Sequence, residues 1–497
     1  MAEAVQVAPD RSAWAKLVDP RPIYIFGRAG MAFTSGFYIG GYAVFLWDYV
    51  GGGQNPGNRQ DAILQASWLL ALLAAQHFIE FGLDAASSFA SDFWRLTRRQ
   101  VFIAGMALHL VAFALLMALS VEIPMAVGHP EQKWYIAGFI IGIEFARAGG
   151  DALISNTFDS WAVSALRTGD SSYPISQLFA AGRVANRLFL LLGAGFTLTM
   201  LMSQALSTSG NNGQSHAGTP DELLHALRVQ GYFWCGLWGM AAAAQLVVVA
   251  LITPLSKSIY DVTGPDQKAR IPVRRALRTA FARDSIPAWL LYGSSYTMSM
   301  ILVYAWPAIV PKVQSRMVPS YYAIPLGLIA SGLLGSIIGR RISTWDFPQG
   351  RVRANRRVSA AGIAVEAVLF LVLASLLILM RNPGPELVGI LVMIMFATRV
   401  VDFIADPFID SLLHQGLTIG DEQMRAAVVS VRTAACNLLV TACFSIVAAS
   451  SSKATSAEAA AHPDLSLALA AVAILGLFAA IGVWFARSSD ERGSTNE

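Results

Sequence analysis

The 497-residue chain is 55% hydrophobic and only 14% charged, whereas soluble domains carry roughly 25% charged residues. With a mean hydropathy of +0.52, this excludes an ordinary water-soluble domain and predicts an all-α polytopic membrane protein. A net charge of +4 and a pI near 9.0 would suit a nucleic-acid binder, but no basic-aromatic cluster accompanies them, so no nucleic-acid partner is expected.

The polar tail ahead of Pro20 has no apolar core and does not read as a cleaved signal. Twelve apolar stretches follow, each long enough for ~30 Å of hydrocarbon: about 22–48, 62–86, 101–120, 135–166, 175–203, 228–252, 286–309, 320–340, 357–380, 386–416, 426–449 and 464–486. The fourth, fifth and tenth are long enough to predict tilt or projection from the membrane. With both termini cytoplasmic, the inner segments hold 23 Lys and Arg and the outer loops seven. The positive-inside rule therefore places both chain ends in the cytoplasm. Cys235, Cys436 and Cys443 all lie within spans, so no disulfide framework is expected.

A polar, Arg-rich segment opening at Ser256-Lys257 and closing at Asp284 divides the chain. It predicts an N-terminal bundle over 1–252, a cytoplasmic linker over 253–285 and a C-terminal bundle over 286–497. Arg274, Arg275, Arg278 and Arg283 have helix-like spacing, which fits an amphipathic helix on the anionic inner leaflet or a solvated linker. Segments 50–60 and 205–227 read as flexible loops. Gly36 and Gly40, Gly138 and Gly142, and Gly335 and Gly339 fit helix-contact spacing.

Six arginines, Arg28, Arg147, Arg183, Arg187, Arg399 and Arg432, fall inside the spans, where charge is costly and needs a partner or a wet cavity. Span four places Glu144, Arg147 and Asp151 on one stripe at i, i+3 and i+7, with Asp159 two turns on. Span ten carries Arg399, Asp402, Asp406 and Asp410. These segments belong to a repeat. Phe145-Ala146, Asp151, Asp159-Ser160, Leu166, Gly169-Asp170, Asn186 and Leu188 recur at a constant offset of 251 as Phe396-Ala397, Asp402, Asp410-Ser411, Leu417, Gly420-Asp421, Asn437 and Leu439. A half-length parallel repeat in a membrane chain points to two bundles with a site between them.

Similar depth, ~10 Å from the inner end at ~1.5 Å per residue, predicts two ion pairs, Asp159–Arg183 and Asp410–Arg432. Asp151 and Asp402 lie nearer the midplane and are the leading proton-coupling candidates, with Asp406 and Glu144 beside them. Asp151 could instead simply pair with Arg147 on its own helix. Arg147 or Arg399 could expel a proton or grip an anion, and Arg28, with no local partner, could line the cavity. Tyr38, Tyr42, Tyr292, Tyr296, Tyr304 and Trp306 offer rings for stacking, or simply pack. His77, His109 and His414 read as packing histidines.

Asp84 to Arg99, closing span two, resembles the loop 2–3 pattern of the major facilitator superfamily. Asp92 falls on the family's gating aspartate and Arg98-Arg99 on its basic end, while Ser88 stands for Gly, Phe93 for Arg and Arg95 for the second Gly. Ala152 to Trp161 is similar to the Ser-Gly-x-x-Glu-Ala-Trp string of bacterial drug-efflux-like members. Met424 to Ser430 resembles the family's Arg-Ala-Thr-x-x-Ser start of span eleven, and Gly335 to Arg341 echoes the loop 2–3 motif.

The resemblance implies twelve transmembrane helices in two pseudo-symmetric six-helix bundles, and alternating access by rocking of the bundles. It further implies a cavity lined by spans one, four, seven and ten, and a multi-pass monomer of the cytoplasmic membrane in contact with lipid. No phosphate-binding loop, metal-ligand cluster or nucleophile elbow is present in the sequence, so neither an enzyme nor a cofactor is expected. The leading expectation is proton-coupled export of a small organic molecule. Uptake of a metabolite or sugar, and a non-transporting scaffold or sensor, are the alternatives.

Overall fold

The computed structural model describes residues 20–45, 71–72, 74–84, 86, 98–126, 133–169, 174–211, 220–260, 273–282, 286–304, 306, 318–347, 351–379, 385–413, 422–452 and 461–485. Among these residues there is no strand. The helices are α1 (Pro20–Val44), α2 (74–84), α3 (Arg98–Ala126), α4 (Lys133–Gly169), α5 (Ile175–Asn211), α6 (Pro220–Tyr260), α7 (Val273–Ala280), α8 (Ile286–Tyr304), α9 (Val318–Ser343), α10 (Arg351–Leu379), α11 (Pro385–Leu413), α12 (Glu422–Ser452) and α13 (Ala461–Phe485).

Among the described residues, eight helices are long and apolar enough to cross a membrane. α4 is not one of the eight, since Glu144, Arg147, Asp151 and Asp159 interrupt its apolar run. Each apolar stretch overlaps a helix, the start of the second stretch lying outside the described residues, and two departures stand out. The longest helix is α6, with 41 residues and about 61 Å of length at ~1.5 Å per residue, which its apolar run alone did not show. The expected loop over 205–227 is also largely absorbed: α5 continues to Asn211 and α6 starts at Pro220. In the linker, α7 forms the short basic helix that the arginine spacing allowed, packed on α12.

Packing repeats between the halves. α1 packs on α5, α3 on α4 and on α6, and α1 on α6; the same relations recur as α8 on α12, α10 on α11 and on α13, and α8 on α13. Contacts between the halves run chiefly from α5 to α9 and α11, and from α4 to α12. Large apolar side chains face outward freely, among them Phe485 at 76% and Leu467 at 72% exposure, as hydrocarbon surroundings permit.

Two of the three glycine pairs make close helix contacts. A Cβ on Gly36 would lie 2.6 Å from the carbonyl oxygen of Leu190, and one on Gly335 would lie 2.3 Å from that of Val400. Only a residue without a side chain allows these backbones to meet. Gly138 does not take part: a Cβ there meets nothing within 4 Å.

Candidate functional site

Arg147 on α4 is the centre of a charge network in the first half. Its Nη1 donates to Asp151 Oδ2 at 2.6 Å, its Nε to Glu144 Oε2 at 3.2 Å and its Nη2 to Glu80 Oε1 at 2.8 Å. The helical spacing i, i+3, i+7 delivers the first two partners from the same helix, and α2 delivers the third. His77 Nδ1 lies 2.9 Å from Glu80 Oε2, and His109 Nε2 lies 3.2 Å from Asp151 Oδ1. Tyr38 donates to Glu144 at 2.8 Å and stacks on Tyr42 with centroids 4.2 Å apart. The Arg147 guanidinium lies 5.1 Å from the Tyr38 ring centroid. His77, buried, hydrogen-bonded to Glu80 and stacked on Phe444, and His109, set against Asp151, thus pack beside carboxylates.

Neither expected ion pair forms. Asp159 is held by Arg28, with Tyr24 donating to it at 3.0 Å. Arg183 crosses instead to the second half, where its Nε lies 3.1 Å from Asp406 Oδ2 and its Nη2 donates to Asp410 Oδ2 at 2.6 Å. Position along a helix carries no information about which helix faces which. Arg432 donates to the carbonyls of Leu413 and Ala280, so it caps the ends of α11 and α7. Arg28, which has no acidic partner on its own helix, pairs with Asp159 of α4 and lines the cavity, as expected.

Further contacts join the halves near the same end. Asn437 on α12 donates to Asp84 on α2 at 2.8 Å, and Gln177 at the start of α5 donates to the carbonyl of Ser343 at the end of α9 at 3.3 Å. This is the face that carries Arg340, Arg341, Arg353, Arg356 and Arg357, hereafter the basic face. Asp92 lies outside the described residues. Arg98 and Arg99 begin α3, their side chains outside the described set.

The second half holds a separate cluster. Arg399 Nη1 donates to Asp402 Oδ2 at 2.8 Å and to Ser299, while Ser295 donates to Asp402 Oδ1 at 3.0 Å. Ser295 also lies 3.4 Å from Glu366 Oε2. Phe403 is flanked by guanidiniums, Arg187 at 3.8 Å and Arg399 at 4.5 Å from its centroid. The cluster is buried: the Asp402 side chain is 6% exposed.

Between the halves lies a cavity of about 320 Å³. It draws on α1 to α5 and on α8, α11 and α12, a wider set than the four spans expected. Arg28, Tyr38, Asp84, Arg147, Asp151, Asp159, Arg183, Tyr292, Tyr296 and Asp410 line it, as do His77, Glu80, His109 and Asn437. Tyr292 and Tyr296 stack in parallel at 6.0 Å, with His77 edge-on to Tyr296. Tyr42, Glu144, Arg187, Trp306, Arg399, Asp402, Asp406 and Arg432 are not among its lining residues. The Tyr304 side chain lies outside the described set. Among the described residues no group of His, Cys, Asp and Glu could hold a metal ion.

By sequence the chain stands apart: no family model matches it, and no curated protein does. Solved structures do match. The Escherichia coli fucose:proton symporter FucP superposes with a TM-score of 0.56 at 16% identity, covering 93% of this chain and 98% of that one. The xylose transporter XylE from E. coli gives 0.56 at 12%, covering 96% and 99%. A bacterial homologue of the iron transporter ferroportin, in an outward-facing state, gives 0.57 at 14%, covering 95% and 100%. FucP is a major facilitator superfamily transporter. The chain has the major facilitator fold. At these identities the likeness concerns the path of the backbone, and the chemistry must come from this chain's own side chains.

Sequence reasoning overlooked Glu80 and Glu366. The signal for Glu80 was present, because His77, Glu80 and Asp84 repeat the i, i+3, i+7 stripe of Glu144, Arg147 and Asp151. Glu366 was visible as a lone carboxylate within an apolar stretch. Asn437 was noted as a repeated residue but not as a partner for Asp84.

Proposed function

We propose that this chain is a proton-coupled secondary transporter of a small organic molecule. It works by alternating access between two six-helix bundles, residues 1–252 and 286–497, through twelve membrane helices joined by the linker 253–285. We place it as a monomer in the cytoplasmic membrane with both termini inside, which makes the basic face cytoplasmic. The major facilitator fold supports transport rather than catalysis.

The observation that carries proton coupling is the charge count around Arg147. One guanidinium contacts three carboxylates, Glu80, Glu144 and Asp151, and two of these also contact His77 and His109. With both imidazoles neutral the network carries two uncompensated negative charges; with two protons bound it is neutral. A buried site favours the neutral count. Asp151 is the coupling carboxylate of choice, since it lines the cavity with its side chain 44% exposed and can trade protons with the water there. Rocking of the bundles would break Arg183–Asp406/Asp410 and Asp84–Asn437, opening the cavity to the basic face.

Export is the direction implied by the drug-efflux-like motif. Uptake is the second reading, favoured by the likeness to a fucose:proton symporter. Untargeted measurement of whole-cell compounds separates them, comparing wild type with Asp151→Asn at equal membrane abundance. A compound depleted only by the wild type supports export, and one enriched only by the wild type supports uptake. No difference for any compound would contradict transport through Asp151.

A further inference from the structure

Glu366 is the one ionisable residue of α10 between Arg357 and the helix end. It stands about 22 Å from the start of the helix at ~1.5 Å per residue. Its exposure is 0%, and its Oε1 has no hydrogen-bond partner among the described residues. Oε2 faces the hydroxyl of Ser295 at 3.4 Å, and the same hydroxyl donates to Asp402 Oδ1 at 3.0 Å. One serine proton thus stands between two carboxyl groups.

The groups around it do not supply a compensating charge. From α11, Arg399 gives its Nη1 to Asp402 and Ser299, and its Nε is buried with no hydrogen-bond partner among the described residues. Asp406, also on α11, is engaged by Arg183. From α8 the polar neighbour is Ser295. α13, which packs along α10, has no ionisable residue between 465 and 485. Two guanidiniums, Arg187 and Arg399, flank Phe403 beside the cluster; Arg399 is committed to Asp402, and neither donates a hydrogen bond to Glu366. An unpaired carboxylate without contact to water is far costlier than the neutral acid.

We propose that Glu366 is a second proton-binding site in this closed-at-the-basic-face state, carrying its proton on Oε2 toward the Ser295 hydroxyl, which in turn donates to Asp402. It rests on the transporter reading only for its use: the bound proton itself follows from the cluster. Separation from Asp402, or arrival of water, would let Glu366 release the proton. The second half then holds a proton out of reach of the cavity, while the first half holds its protons at the cavity wall. Asp402, favoured from sequence, becomes the ionised partner of Arg399 instead of the carrier.

The test is infrared difference spectroscopy of the full-length protein in lipid vesicles, stepping the pH upward. Wild type is expected to show a protonated-carboxyl band of a dry site that bleaches at alkaline pH. Glu366→Gln, which keeps the shape and should keep the fold, is expected to lose that band. Glu366→Asp, the second variant, should shift the band without removing it. A band unchanged in Glu366→Gln, or no such band in wild type, would overturn the assignment. Bleaching by sodium chloride but not potassium chloride at fixed pH would also overturn it, making the cluster a sodium site. The readout needs no transported compound. A band that behaves as predicted in a protein that moves nothing would sink the transport reading and leave this site standing.

Discussion

Asp151 and Asp402 are equivalent by the 251-residue repeat, yet the side chain of one is 44% exposed and that of the other 6%. Each contacts an arginine of its own helix, at 2.6 Å and 2.8 Å. The neighbours make the difference. Around Asp151, α2 and α3 bring Glu80, His77 and His109 to the cavity edge, giving a charge network that lines the cavity. Around Asp402, α8 and α10 bring Ser295, Ser299 and Glu366 into a sealed interior. The two halves thus share helix packing while their charge clusters sit in different surroundings, and a repeat in sequence identifies equivalent positions without identifying equivalent surroundings.

Removing the arginine from each half is the strongest way to break this comparison. Arg147→Ala leaves three carboxylates without their cation and should cost about 3–5 kcal/mol, read as a large fall in Tm in detergent. Arg399→Ala also strands a buried carboxylate but disturbs fewer partners, so its Tm should fall less. Equal falls would mean that the networks are alike after all.

Next in size is the contact between halves. Arg183→Ala removes charge-assisted bonds to Asp406 and Asp410, each worth about 1.5–3 kcal/mol. The conformation closed at the basic face should lose ground to one open there. A cysteine placed at Leu413, which lines the cavity, should then react at least about fivefold faster with a membrane-impermeant thiol reagent added from that face, since ~1 kcal/mol corresponds to that factor. The rate is judged against the same cysteine in the presence of Arg183. Unchanged reactivity would remove Arg183 from the latch.

The smallest effect concerns glycines that look alike in sequence. Gly138→Ala should leave Tm within the change expected of about 0.5 kcal/mol, because a Cβ there meets nothing. Gly36→Ala should lower it clearly, because the added carbon would sit 2.6 Å from a backbone oxygen. If the two fall together, close packing of α1 on α5 is not what Gly36 provides.

Much of the fold was legible because long apolar runs and turn residues mark helices directly. Helix ends at Pro20, Ile175 and Ile286 lie within two residues of the apolar boundaries. Pairings were not legible. Arg183 matched Asp159 in depth, but α5 turns that side chain toward α11, a choice set by packing between halves. Arg432 was read as half of an ion pair, whereas it caps carbonyls, which no sequence pattern displays. Glu80 was recoverable from its i, i+3, i+7 spacing with His77 and Asp84, although it lies outside the repeated segment.

The most direct test of proton coupling at the cavity uses the purified protein in vesicles with a trapped pH dye and the compound identified by the whole-cell screen. Wild type should move protons when the compound is added on one side. Asp151→Asn should exchange labelled compound across the membrane yet move no protons. Proton movement undiminished in Asp151→Asn would contradict the account and shift coupling away from the Arg147 network.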